Sequence, residues 1–259
     1  LSTLFRDIVR QPIKLNCETA GFLYFNSLLN SRFQHLLFPI PHSLNNCQLY
    51  TLKLKAEVEM LNLYVKEVER VWFGVAFEGE EIFATAFAFS EQGALQSLLG
   101  GIPFNVPFMQ LEEPSHFADA VVVVLKNVYD GKDVSFNFSL ATNHLSTYAR
   151  QVIETTLLIP VGYVTSYGAI AKTVGGSPRA VGNVMARNPF APLVPCHRVV
   201  CSDFSLGGYG GGLNVKLQIL KREKRGYASE REVSLNGKKL LLFPVENVLD
   251  KVKEENLTS

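Results

Sequence analysis

Apolar and polar positions follow two periods along this chain, strand-like from Leu61 and helical in the second half. The segments 70–77 (Arg-Val-Trp-Phe-Gly-Val-Ala-Phe) and 81–89 (Glu-Ile-Phe-Ala-Thr-Ala-Phe-Ala-Phe) are rich in β-formers around a Glu/Gly turn. They predict a hairpin within a small sheet. From His116 to Tyr129, Phe117, Val121, Val124 and Leu125 fall on one helical face, and Asp130-Gly131 breaks the run. Ser146 or Thr147 caps a helix to about Thr156. After a turn at Ile159-Pro160-Val161-Gly162, Thr165 or Ser166 caps a second, carrying Tyr167, Ile170, Ala171 and Val174. Gly175-Gly176 ends it. Ser177 caps a third, Pro178 to Arg187, with Pro178 where a missing N–H costs nothing. Two short helices joined by a tight glycine turn form a helix-turn-helix. Leu213 to Arg225 predicts a further helix with Leu213, Leu217 and Leu220 inward. Val233 to Leu240 predicts a hairpin about Asn236-Gly237, a type I′ turn.

Residues 1–59 show no clear period, and Met60 opens the cleaner pattern. They are expected to form a leader outside the folded core. Arg6, Arg10 and Lys14 before the apolar Ala20–Leu29 resemble a weak targeting signal, without a small-x-small cleavage site. No apolar run reaches the ~18 residues of a membrane span. The 259 residues, 47% hydrophobic and 19% charged, suit one large or two modest globular domains. Net charge is +1, but its distribution is uneven. Residues 144–230 carry 10 Lys/Arg against 4 Asp/Glu, and the remainder 15 against 20. A basic half points to a polyanionic partner, and chance clustering on a folded surface is the alternative.

Four cysteines are too few for a disulfide scaffold. Cys17, His35, His42 and Cys47 match no standard zinc spacing. Val194-Pro195-Cys196-His197-Arg198-Val199-Val200 sets a thiol beside an imidazole between apolar flanks. A histidine-linked network with nearby positive charge would make that thiol a nucleophile. A small buried core cysteine is the plainer reading. Cys201 is close enough in sequence to oxidise with Cys196, so thiol chemistry needs a reducing compartment. Pro189, Pro192 and Pro195 predict a stiff extended approach to Cys196. On the Pro178–Arg187 helix, Val181, Val184 and Met185 face the core, while Arg179, Asn183 and Arg187 form another face with Gly182 and Ala186 between. Small residues between cations allow close approach to a phosphodiester backbone, so backbone or minor-groove binding fits better than major-groove reading. A solvated helix face remains open. In Gly207-Gly208-Tyr209-Gly210-Gly211-Gly212, Tyr209 is placed to stack on a planar base, or the run is a flexible linker. Glu223 sits at the edge of an apolar stripe among Lys221, Arg222, Lys224 and Arg225. It either holds an imidazole or is a surface acid, and taken alone the surface is favoured.

Residues 159–226 resemble the catalytic domain of the O6-alkylguanine-DNA alkyltransferases, or methylated-DNA–protein-cysteine methyltransferases. The resemblance rests on Ile159-Pro160-Val161-Gly162, Ser166-Tyr167-Gly168, Arg179-Ala180-Val181-Gly182, Asn188-Pro189, Pro195-Cys196-His197-Arg198-Val199-Val200 and Gly211-Gly212-Leu213, in that order. It implies transfer of an alkyl group from O6 of guanine, less readily O4 of thymine, to the protein's own cysteine, once per molecule and without cofactor or metal. It makes Cys196 the acceptor, His197 its base through a water, and Glu223 the group that orients His197. It implies that Asn188 braces the cysteine segment and that Tyr167 donates to the leaving base. Arg179 would fill the gap left by a flipped guanine. Ser166, Gly182, Asn183, Ala186 and Arg187 would meet DNA beside it. Tyr209, Gly210, Met185, Val199 and Lys216 would bound the base pocket. Many members carry Ser where Gly210 stands.

The expectation is an α+β chain: a leader (1–59), a small strand-rich α/β domain (60–143), a helical, winged helix-turn-helix-like DNA-binding catalytic domain (144–230), and a hairpin and tail (231–259). It would act as a monomer on duplex DNA, in the cytoplasm, or in a nucleus where there is one. A non-catalytic helix-turn-helix lesion sensor is the alternative. A thiol hydrolase is a third, disfavoured by the DNA-facing helix.

Overall fold

The computed structural model describes residues 60–235 and 237–258. The leader, its targeting-like stretch, the Cys17/His35/His42/Cys47 grouping and Asn236 lie outside them. The described residues divide into two units, one with Leu61 and Asn105–Gln110, the other with Asn62–Phe104 and residues 111–258 apart from Asn236.

The predicted hairpin is part of an antiparallel meander, β1 (Leu61–Val68), β2 (Val71–Glu78) and β3 (Glu81–Ala88). Its register pairs Tyr64 with Val75 and Val75 with Thr85. Helix α1 (Glu91–Gly101) follows, capped by the Ser90 hydroxyl, which accepts from the Gly93 amide. The sequence period of α1 is faint. Its signal, a Ser-Glu start with Ala94 and Leu98 buried one turn apart, is diluted by three glycines. Its close approach to β2 needs Gly74, where a Cβ would lie 2.8 Å from Leu98 Cδ1. In the first unit, strand β4 (Phe108–Gln110) follows Pro107, whose carbonyl accepts from the Leu61 amide at 2.9 Å. Helix α2 spans His116–Tyr129 as its period predicts, with Ser115 as cap. Strand β5 (Ser139–Leu140) then joins β3 in parallel.

The second half holds helices α3 (Thr147–Leu157), α4 (Tyr167–Val174), α5 (Pro178–Met185) and α6 (Leu213–Arg222). It is not purely helical. Strands β6 (Tyr163–Ser166), β7 (Val199–Val200), β8 (Arg231–Leu235) and β9 (Lys238–Pro244) form a sheet in the order β7-β6-β9-β8. β6 and β7 are too short to show a period, and only their pairing with distant segments makes them strands. The expected tail is instead helix α7 (Val245–Thr258), with Val245, Val248 and Leu249 buried. α5 stops at Met185 rather than Arg187. Asn188 precedes a proline and so avoids helical backbone, which forces the chain to turn first. In α6 the buried stripe is Lys216, Ile219 and Leu220. Leu213 is 50% exposed, contrary to expectation, because the first turn follows the exposed Gly210–Gly212 and projects past the core.

One cluster joins Phe73, Val75, Ile82, Val121 and Leu125 to Ile153, Phe190, Leu193, Val194 and Ile219. The first sheet and α2 therefore share a core with α3, α6 and the segment before Cys196. β3 also bonds that segment directly. The Thr85 amide donates to Pro189 O at 2.8 Å, and its hydroxyl to Ala191 O at 2.9 Å. The ends of α2 and α6 meet where the Arg222 guanidinium lies 4.3 Å over the Tyr129 ring and donates to Tyr129 O at 3.0 Å. Gly131 has φ +72, and a Cβ there would fall 2.6 Å from the Arg222 carbonyl carbon. Gly131→Ala is expected to cost about 1–3 kcal/mol. A thermal melt checks this, and an unchanged midpoint would refute the contact.

Candidate active site

The segment leading to Cys196 does not run extended. Residues 186–195 are mostly turns, and Cys196–Arg198 is a 3-10 turn leading into β7. At three residues per turn, neighbouring side chains diverge by about 120°, so Cys196 and His197 still face different surroundings. Asn188 ties the segment together. Its Nδ2 donates to Val194 O at 2.9 Å, and its Oδ1 accepts from the Phe190 amide at 3.0 Å.

Cys196 is 7% exposed and packs with Met185, Val199 and the partly buried Tyr167 and Tyr209. Burial pushes its thiol up, while the Asn188 hydrogen bond and the Lys216 charge pull the other way. Lys216 is itself buried, and burial lowers it to about 8. Its Nζ donates to Val199 O and Leu206 O, each at 2.6 Å, pinning β7 and the glycine run to α6.

His197 turns inward, where its Nε2 lies 3.0 Å from Glu223 Oε1. Arg198 shares that carboxylate. Its Nε reaches Oε2 at 3.0 Å, its Nη2 reaches Oε1 at 2.7 Å, and its Nη1 donates to Ile159 O at 2.6 Å. Burial opposes ionisation of Glu223, but His197 and Arg198 outweigh it and hold the carboxyl at about 2. Burial lowers His197 against the pull of Glu223. The consistent state is an ionised Glu223 with a neutral ring donating from Nε2–H. The lone pair then sits on Nδ1, which is buried without a partner among the described residues. This is the protonation state of a base.

Glu223 is fully buried at the C-cap of α6, which overturns the surface reading favoured for that residue taken alone. Arg198 is a further residue of this network beyond those the sequence motifs single out. Its signal was a cation inside an apolar run, which requires a buried anion.

β6 and β7 pair in parallel, Ser166 opposite Val200, which brings the start of α4 beside the cysteine turn. Tyr167 Oη lies 3.4 Å from Gly208 O, and burial, with Cys201 and Cys196 nearby, raises it to about 12. It remains a proton donor at neutral pH. Tyr209 has its hydroxyl buried without a partner among the described residues, and Gly210 is exposed. The Ser166 hydroxyl caps α4, accepting from the Ala169 amide at 3.0 Å. Arg179, Asn183, Ala186 and Arg187 form the exposed side of α5, with Gly182 partly covered, while Val181 and Met185 face inward. An open cleft of about 440 Å³, lined by Phe87, Phe89, Gln96 and Gly211, includes none of Cys196, His197, Asn188 or Tyr167. No group of three His, Cys, Asp or Glu placed to hold a metal occurs among the described residues. Nor is any helix among them long and apolar enough to cross a membrane.

Residues 147–225 match the family described as 6-O-methylguanine DNA methyltransferase, DNA binding domain. The methylated-DNA–protein-cysteine methyltransferase of Thermococcus kodakarensis is 34% identical over 159 residues, 59% of this chain and 88% of that protein. This chain belongs to that family. The namesake from Pyrobaculum aerophilum is 60% identical over 65 residues, 25% of this chain and 44% of its own length. The chain spans only about half the length of several such methyltransferases, 54% for that of Methanothermobacter thermautotrophicus and 48% for that of Mycobacterium leprae. The crystal structure of Mycobacterium tuberculosis OGT in complex with DNA superposes with a TM-score of 0.52 at 27% identity, covering 63% of this chain and 92% of that one. This methyltransferase family therefore accounts for the mixed α/β fold here.

Proposed function

We propose that this protein repairs DNA by moving an alkyl group from O6 of guanine, and less readily O4 of thymine, irreversibly to Cys196. The reading is carried by one observation: Cys196 adjoins a buried His197–Glu223–Arg198 network that leaves His197 Nδ1 free to take a proton. His197 accepts the thiol proton, through a water. The thiolate attacks the alkyl carbon, the C–S bond forms and the C–O6 bond breaks. The guanine leaves with the electron pair and takes a proton from Tyr167. Lys216 stabilises the thiolate charge, and Asn188 holds the turn. Each acts as a fixed group needing no rearrangement at the moment of reaction. No cofactor takes part.

A buried thiol cannot reach a stacked base, so the nucleotide must be flipped. α4 and α5 serve as a winged helix-turn-helix that lays α5 along the minor groove. Ser166, Gly182, Asn183, Ala186 and Arg187 lie against the backbone, and Arg179 fills the vacated stack. Met185, Val199, Tyr209 and Gly210 bound the flipped base. Residues 60–143 act as a supporting domain and 144–230 as the catalytic one. The protein works as a monomer in the cytoplasm, or the nucleus where there is one.

Intact mass after incubation with a duplex carrying one O6-methylguanine, then peptide mapping, tests the reading. One methyl group on Cys196, stopping at one equivalent, is expected. Tight lesion binding without an adduct would make the protein a sensor instead. Arg179→Ala is expected to slow repair of duplex at least tenfold while barely changing reaction with free modified base. Equal losses on both substrates would remove its flipping role.

A further inference from the structure

The C-terminal hairpin β8–β9 is strapped to β6 and to the side of α4. The Thr165 hydroxyl donates to Leu241 O at 2.7 Å, and the Thr173 hydroxyl, in the last turn of α4, donates to Lys239 O at 3.1 Å. Thr173 precedes Gly176 by three residues and Arg179 by six. The start of β9 therefore sits beside the turn into α5, next to its N-terminal end. Strand alternation decides where Lys238 points. Leu240 and Leu242 are fully buried with Ile170 of α4 and Val181 of α5. Residues two apart share a face of a strand, so Lys238 continues that inner face one step beyond the apolar core. There it is exposed, and its ammonium has no hydrogen-bond or ion-pair partner among the described residues. Lys239, facing the other way, is paired with Glu232 at 2.8 Å. Lys172, next to Thr173 and also exposed, adds a second cation at the same corner.

We propose that Lys238 and Lys172 form a second DNA contact, binding backbone phosphates beyond the N-terminal end of α5. The proposal rests on the reading of α5 as the DNA-facing helix. It gives the hairpin a function in extending the footprint. Lys172 lies on α4 and Lys238 at the start of β9, elements held together by core packing and two hydrogen bonds. A lysine held this way reads charge and not sequence.

The test is a salt series of duplex affinities for the full chain and its Lys238→Ala and Lys172→Ala variants, with reaction toward free modified base as the control for folding. Each lost phosphate contact is expected to lower the log–log salt slope by about 0.9, so the affinity ratio between about 50 and 200 mM salt shrinks by roughly 3.5-fold per lysine. The loss should be equal on damaged and undamaged duplexes, and should vanish on duplexes trimmed at the end facing the hairpin. Unchanged slopes beside a parent protein that binds and reacts normally would overturn this proposal alone, as would a loss confined to damaged DNA. A parent protein that binds no duplex would overturn the reading of α5 and the hairpin contact with it.

Discussion

A Cys196→Ala variant is expected to take up no alkyl group from damaged duplex and to bind that duplex as tightly as the parent protein. On the proposed reading, transfer and DNA binding are separable because they would use opposite sides of the same region. The thiol faces an apolar cluster with Met185, Val199 and Tyr209, whereas Arg179, Asn183 and Arg187 project outward from α5. Removing one sulfur atom from the cluster costs little packing, of the order of 1 kcal/mol. It removes the nucleophile completely, and no rearrangement of His197 supplies another. Intact mass and fluorescence anisotropy on one preparation measure both quantities. An adduct that persists, on Cys201 for example, would move the acceptor. Loss of binding in parallel with transfer would show that the cysteine and the DNA face are not independent.

The largest expected effect on stability comes from Arg198→Met. Glu223 is fully buried and holds its charge against His197 and the Arg198 fork. Removing one partner of a buried ion pair costs about 3–5 kcal/mol, because the other charge stays desolvated. At roughly 2–4 °C per kcal/mol for a chain of this size, the melting midpoint should drop by about 6–20 °C. Arg198→Met with Glu223→Gln should recover much of that loss, since no buried charge is left. Activity should not return with it, because glutamine stabilises an imidazolium less well. The pH dependence follows the same network. The Glu223 carboxyl lies at about 2 in the folded protein against 4.5 ordinarily, so its stabilising effect is present above 4.5 and is lost as pH falls toward 2. His197 is also lowered by burial, so protonation below its ordinary 6.5 favours the unfolded chain as well. Both act in one direction. The parent protein should lose stability progressively from about pH 6.5 downward, and Glu223→Gln should flatten the part below 4.5. Identical acid slopes in melts from pH 7 to 3 would rule out the buried pair as the cause.

Where a segment's own period and caps decide its conformation, the sequence determined the outcome. His116–Tyr129, with a full apolar stripe between Ser115 and Asp130, is a helix at those boundaries. The caps at Ser146, Ser166 and Ser177 each accept an amide three residues on, as their spacing requires. The motifs around Cys196 were likewise legible in their order along the chain, through the resemblance they carry. Tertiary structure decided what depends on distant partners. β6 and β7 are strands only because Thr165 pairs with Val199 and Ser166 with Val200. The approach to Cys196 turns rather than extends, held by Thr85 and Asn188 through bonds to its backbone. Glu223, among four cations in sequence, reads as a surface acid. It becomes the interior anchor of His197 and Arg198 because the end of α6 packs against the cysteine turn and desolvates all three at once. Local preference is set by a few neighbouring residues. Charge state and burial are set by everything that excludes water from a site, and for this chain that information is spread from β3 to α6.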